Sequence, residues 1–157
     1  MHTTQQEAIF LLSHIKKTDY VLEYGSGSST LEISKLCQNL VSIEHQYIWF
    51  NKLRFRINEN TILKYCPPDK PYIEGLHCGT YDEFKTYIET PLQFNKFDII
   101  YIDGRARNYC AAICNKLGHQ DTLVFVHDFD REEYKEMHNY LDVIEGVERM
   151  YKFKIKF

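Results

Sequence analysis

Apolar positions along this chain alternate between helical and strand spacing. Thr4 and Glu7 form a capping box ahead of Ala8, Leu11, Leu12 and Ile15, predicting an opening amphipathic helix. Tyr20 to Tyr24 reads as a short strand stopped by Gly25. Leu31, Ile33, Ser34 and Cys37 suggest the next helix, and Leu40 to Glu44 a second strand. Trp49, Phe50, Leu53 and Ile57 place apolar bulk on one helix face, and Thr61 to Tyr65 is a third strand. Phe97 to Asp103 is a fourth strand of the buried kind. A helix is expected from Arg107 to Leu117, a fifth strand from Thr122 to Val126 and a helix from Arg131 to Tyr140. Two strands close the chain, near Val143 and from Arg149 to Phe157.

Strands alternating with helices imply a largely parallel sheet with right-handed crossovers. The closing strands are joined only by Glu145-Gly146-Val147, so that pair is antiparallel. The tail Tyr151 to Phe157 alternates strictly, with Lys152, Lys154 and Lys156 on one face. That strand is expected to be open on one side or to be an edge guarded by lysine; a role in binding acidic ligands is the sharper alternative. From Cys66 to Thr80 the pattern fails, because Pro67, Pro68, Pro71, Gly75 and Gly79 forbid a regular element. Loops of this length are often functional, and Tyr72, His77 and Tyr81 are candidates to line an acceptor pocket there. A helix from Tyr81 to Ile88, ended by Pro91, follows.

The 157 residues suit one domain spanning 1–157, and 44% hydrophobic residues suffice for its core. A net charge of −3 argues against general nucleic-acid affinity, which needs a basic surface. Five cysteines without a C-x-x-C pair imply neither a disulfide framework nor a structural zinc, and Cys110 and Cys114 read as core residues. No cationic leader precedes Ala8–Leu12 and no segment approaches a membrane-spanning length, so a cytoplasmic protein without a membrane partner is expected.

Two clusters carry chemistry. Glu23-Tyr24-Gly25-Ser26-Gly27-Ser28-Ser29-Thr30 lies between a strand and a helix. Its glycines allow a tight turn and close backbone approach to a ligand, and the helix start suits a carboxylate or phosphate. Ile43-Glu44-His45 ends the next strand, where an acid can accept two hydrogen bonds from a ribose diol. A dinucleotide fingerprint would place glycine at Thr30, and a pyrophosphate would dislike Glu23 nearby, whereas an ammonium would welcome it.

Glu23-x-Gly25-x-Gly27-x-x-Thr30 resembles the first motif of class I S-adenosylmethionine-dependent methyltransferases. Glu44 matches that family's second acid, Asp103-Gly104 its fourth motif, and His127-Asp128-Phe129 a pattern of branches that methylate small molecules. The likeness spans about Asp19–Tyr65 and Lys96–Glu145. It implies a Rossmann-like three-layer α/β sandwich with a mostly parallel seven-stranded sheet and an antiparallel C-terminal strand. It implies S-adenosylmethionine as cofactor, with Glu23, Tyr24, Gly25, Ser26, Gly27, Ser29 and Thr30 around the methionine part. Glu44 would grip the ribose, His45 would lie near the adenine, and Asp103 would face the reacting end.

The sulfonium is an activated donor, so the protein mainly aligns the reactants, and a hydroxyl acceptor also loses a proton. His127 is the candidate base, with Asp128 orienting it or acting itself. Arg105 is a candidate to bind an anionic acceptor, and Arg107 is balanced between that role and a surface ion pair. A divalent metal between Asp103 and Asp128 is an alternative, because catechol-type O-methyltransferases place acids similarly. Those enzymes carry an amide after the second acid, where this chain has Phe129. The reading is methyl transfer to a hydroxyl oxygen of a small molecule or sugar. A non-catalytic cofactor-binding or interaction module and a nucleotide-dependent oxidoreductase are the alternatives.

Overall fold

A computed structural model describes residues 3–157. Seven strands form one sheet: β1 (Tyr20–Tyr24), β2 (Asn39–Glu44), β3 (Thr61–Tyr65), β4 (Phe97–Ile102), β5 (Gly118–His127), β6 (Leu141–Val147) and β7 (Met150–Ile155), in the order β3-β2-β1-β4-β5-β7-β6. The first five are mutually parallel, and β7 runs antiparallel to both β5 and β6. The expected mostly parallel sheet with an antiparallel C-terminal strand is the observed one.

Helices cover both faces, making three layers. On one face α1 (Gln5–Leu12) and α2 (Ser28–Ser34) bury Phe10, Leu11 and Ile33 against Val21, Ile99, Tyr101 and Phe125. On the other, α4 (Tyr81–Glu89), α5 (Arg107–Ala112) and α6 (Cys114–Leu117) bury Phe84, Tyr87, Cys110 and Cys114 against Leu22, Ile100 and Val124. Side chains of successive strand residues point to opposite faces, so one strand feeds both cores. Buried on both sides, β1 and β4 are apolar runs rather than alternating ones. The Thr4–Glu7 capping box opens α1 as expected, and all five cysteines are free.

Four expectations need correction. The Arg107–Leu117 helix is divided at Ile113, whose backbone (φ −100°, ψ 4°) leaves the helical region. The segment expected to be helical from Arg131 to Tyr140 is a 3₁₀ helix over Glu132–Asn139. Its two buried residues, Tyr134 and Met137, stand three apart, the spacing that three residues per turn puts on one side. In α3 (Tyr47–Leu53) only Leu53 is buried, so the apolar bulk of Trp49 and Phe50 does not enter the core. Finally, β7 is not an edge: the chain passes outward through β6 and returns between it and β5. Lys152 is buried there, its ammonium 5.7 Å from the centre of the Phe10 ring and 2.6 Å from Glu145, while Lys154 is exposed. One side of the strand is therefore open only at Lys154. Among the described residues no helix is long and apolar enough to cross a membrane.

Candidate functional site

The parallel strands end at one edge, and the turns after β1, β2 and β4 surround a cleft of about 850 Å³. Gly25 and Gly104 make its floor. Gly25 sits at φ +94°, a region L side chains rarely adopt, and a Cβ there would come within 2.7 Å of the Gly104 backbone. The turns after β1 and β4 therefore touch backbone to backbone. Gly27 differs: a Cβ there meets nothing within 4 Å, because it borders open cleft.

Glu23 braces this turn from beneath. Its carboxylate is fully buried and accepts from the hydroxyls of Ser29 (2.5 Å), Thr30 (2.6 Å) and Ser42 (2.6 Å). Burial pushes its pKa up to about 7, against the three hydroxyls that favour the charge. Thr30 is buried too and accepts from the Gly27 amide at 2.9 Å. Tyr24 points away into the core, donating to the Ile88 carbonyl at 2.7 Å. Glu23, Tyr24 and Thr30 thus shape the turn without lining the cleft, whereas Gly25, Ser26, Gly27 and Ser29 line it.

Glu44 stands beside the turn with both oxygens oriented by backbone. Ser26 N–H donates to Oε2 at 2.8 Å and Gln46 N–H to Oε1 at 2.6 Å. Those bonds hold a cleft-lining carboxylate in one rotamer and leave it further lone pairs for a ligand diol. His45 bridges Glu44 and Glu74, at 3.2 Å from each. Glu74, in the loop after β3, also pairs with Arg105. Burial raises the Glu74 pKa, but His45 and Arg105 outweigh it and hold the carboxyl below its usual range. This loop forms a wall of the cleft through Glu74, Leu76, His77 and Cys78. Of the predicted loop residues, His77 lines the cleft, while Tyr72 packs edge-on against Phe84 and donates to the His77 carbonyl.

At the ends of β4 and β5 the geometry departs from the expected acid–base site. Asp103 lines the cleft, but His127 and Asp128 lie behind it, both buried. His127 Nε2 contacts Glu7 of α1 at 3.0 Å, and Nδ1 faces Asp103 at 3.3 Å and Asp128 at 3.5 Å. Burial works against its charge, but the hydrogen bonds and charges of these acids win and raise its pKa to about 10. Both ring nitrogens therefore face carboxylates, which favours the charged ring and leaves neither nitrogen turned to the cleft. Asp128 adopts φ +60°, turning its carboxylate inward to Arg107 (3.4 Å), Arg131 (3.1 Å) and Arg149 (2.9 Å). Burial raises the Asp128 pKa, but His127 and Arg107 prevail and lower it. Arg107 is itself buried, donating to the carbonyls of Gly104 (2.9 Å) and His127 (2.5 Å) and lying 3.3 Å from the Asp103 carboxylate.

Asp103, His127 and Asp128 offer three ligand atoms within 4.8 Å of one another. The same atoms already face Arg107, Arg149 and the His127 proton. A divalent metal would add positive charge where the acids are neutralised, so these residues do not fit one. Glu7 and Arg149 are neighbours of this cluster that local sequence does not reveal. Glu7 reads as a capping residue and serves as one, donating nothing to suggest a partner 120 positions away.

No known family profile matches the sequence, and no curated protein matches it. Solved structures do match in fold. A methyltransferase-like protein of Silicibacter pomeroyi is 19% identical with a TM-score of 0.82, over 99% of this chain and 88% of that one. The tRNA (m1A58) methyltransferase TrmI of Aquifex aeolicus is 12% identical with a TM-score of 0.65, over 99% and 71%. A TehB-like SAM-dependent methyltransferase of Corynebacterium glutamicum is 11% identical with a TM-score of 0.64, over 99% and 90%. The chain therefore has the Rossmann-like fold found in these methyltransferases.

Proposed function

We propose that the protein binds S-adenosylmethionine in the carboxyl-edge cleft and transfers its methyl group to an acceptor. One observation carries this reading: the Glu44 carboxylate is fixed by the Ser26 amide beside a glycine turn whose Gly27 borders open cleft. A diol acceptor site and a close-approach backbone are thereby set side by side, as an adenosyl and methionine ligand requires. When bound, the cofactor supplies an activated methyl group. Gly25, Ser26, Gly27 and Ser29 hold the methionine part, Glu44 the ribose and His45 the adenine side. Glu23 and Thr30 act from below by fixing the turn.

The acceptor reading is a hydroxyl of a small molecule or sugar, with Asp103 in place of His127 as the group that receives its proton. Asp103 faces the cleft, and its Oδ2 accepts from Tyr101 at 3.1 Å while cations hold Oδ1. Of Glu7, Asp103 and Asp128, only the Asp103 carboxylate lines the cleft. It suffices when the proton leaves late, after bond formation has made the oxygen acidic. Arg105, released from Glu74, would orient an anionic acceptor. His127, Asp128 and Arg107 position Asp103 rather than touching the acceptor.

Calorimetric titration with S-adenosylmethionine, its demethylated product and NAD tests the cofactor. Binding of both sulfur ligands, weakened in Glu44→Ala and absent for NAD, is expected. Folded protein that ignores both sulfur ligands overturns the reading. Against an active acceptor, Asp103→Asn should slow turnover by about 10²–10⁴-fold while leaving cofactor affinity nearly intact.

A further inference from the structure

Helix α3 presents apolar residues to solvent. Its outward side carries Tyr47 and Ile48 (67% exposed), with Phe55 (80% exposed) just past its end. Tyr47 and Phe50 pack against Tyr65 at ring separations of 5.6 and 5.3 Å, extending the apolar surface onto β3. A scattered exposed side chain needs no explanation, but a contiguous set does. The charge along it is mostly positive: from Gln46 to Asn60 there are Lys52, Arg54 and Arg56 against one acid, Glu59, on a chain of net charge −3. All three are exposed, and among the described residues none is ion-paired. Lys52 and Arg54 instead lie over the rings of Trp49 and Phe55, at 4.9 and 4.4 Å.

We propose that this face docks on an anionic lipid bilayer, with the mouth of the cleft opening at the membrane surface. Projecting aliphatic and aromatic side chains flanked by cations are what such a surface takes up: the apolar groups enter the headgroup boundary and the cations meet lipid phosphates. Aromatic residues with a polar handle, here Tyr47 and Trp49, favour that boundary. A second copy of the chain fits worse, because a two-fold contact on this face would oppose its unpaired cations. A nucleic acid fits worse too, since three cations on an acidic protein make no track for a phosphate backbone. The face also adjoins the site. Trp49 lines the cleft, and Leu76, 69% exposed, lines it from the loop after β3. Membrane contact is a departure from the sequence expectation, which considered only spanning segments. It does not depend on which cofactor fills the cleft.

Trp49 is the only tryptophan, so with no cofactor added its emission reports on this face. The full chain, free of cofactor, is titrated with phosphatidylcholine vesicles lacking or containing about one-third phosphatidylglycerol. Co-sedimentation and a blue shift with the anionic vesicles only are expected, both reversed by added salt. The double variant Ile48→Ser/Phe55→Ser should partition at least about tenfold more weakly. Lys52→Gln/Arg54→Gln should lose the anionic preference. Both variants should keep wild-type affinity for S-adenosylmethionine, which separates failed docking from a failed cofactor reading. No vesicle binding at low salt overturns the proposal. So does single-stranded RNA binding abolished by the same variants while vesicles leave Trp49 unchanged, or a dimer that Phe55→Ser dissolves.

Discussion

The two halves of the sheet's carboxyl edge use the same kinds of residue to opposite ends. At β1 and β2, Glu44 is oriented by amides and left facing a cleft, with glycines keeping the space around it empty. At β4 and β5, Asp103, His127 and Asp128 are closed in by Arg107, Arg149 and Glu7, and only Asp103 reaches the cleft. A charged side chain at a strand end is available to a ligand when backbone amides hold it and is consumed when opposite charges do. The first half leaves a carboxylate facing open cleft, and the second ties α1, β5 and β7 to the end of β4.

The sharpest way to break this contrast is to remove one charge from each half. Asp128→Ala leaves Arg107 and His127 buried with only one of the two acids they share and should destabilise the fold by about 3–5 kcal/mol, measured by denaturant unfolding. Cofactor affinity of the folded variant should change little. A stable Asp128→Ala protein would mean that the network is not structural. Glu44→Ala should do the reverse, weakening cofactor binding by about 1.5–3 kcal/mol in calorimetry with a smaller loss of stability.

Gly25→Ala addresses the floor shared by both halves. A Cβ 2.7 Å from the Gly104 backbone, at φ +94°, should lower the melting temperature by the equivalent of about 1–2 kcal/mol and abolish cofactor binding.

The halves should also respond to different pH windows. Glu23 has a folded pKa of about 7, raised from 4.5, so its contribution is full below 4.5 and lost as pH rises through 7. His127, raised from 6.5 to about 10, contributes fully below 6.5 and loses that contribution as pH rises through 10. Asp128 and Glu7 are lowered, so their contributions hold above 3.8 and 4.5 and disappear as pH falls further. Melting temperature should therefore fall in two steps as pH rises, one between about 4.5 and 7 that is flattened in Glu23→Gln and one between about 6.5 and 10 that is flattened in His127→Gln. A single step unaffected by His127→Gln would refute the charged ring. The smallest effect expected is for Lys154→Gln, exposed on the open side of β7, which should leave unfolding within about 0.5 kcal/mol of wild type.

The sequence by itself determined the strands, their mostly parallel order of appearance and the turn chemistry. These follow from local rules: apolar runs for strands buried on both faces, glycine where a turn needs positive φ, and a capping box where α1 begins. It also placed Glu44, Asp103, His127 and Asp128 at one edge, since a parallel sheet puts every such residue at the carboxyl ends of its strands. Only the tertiary structure decided which of them a ligand can reach. His127 looks like a base because its ordinary pKa lies near neutrality, and its charged form is favoured because Asp103 and Asp128 fold against one ring nitrogen and Glu7, from 120 positions away, against the other. Likewise Trp49, Phe50 and Leu53 read as apolar bulk on one helix face, yet only Leu53 of α3 is buried, while Tyr47 and Phe50 rest on Tyr65 at the surface of β3. Burial and ionisation depend on what packs alongside, and those neighbours are distant in the chain.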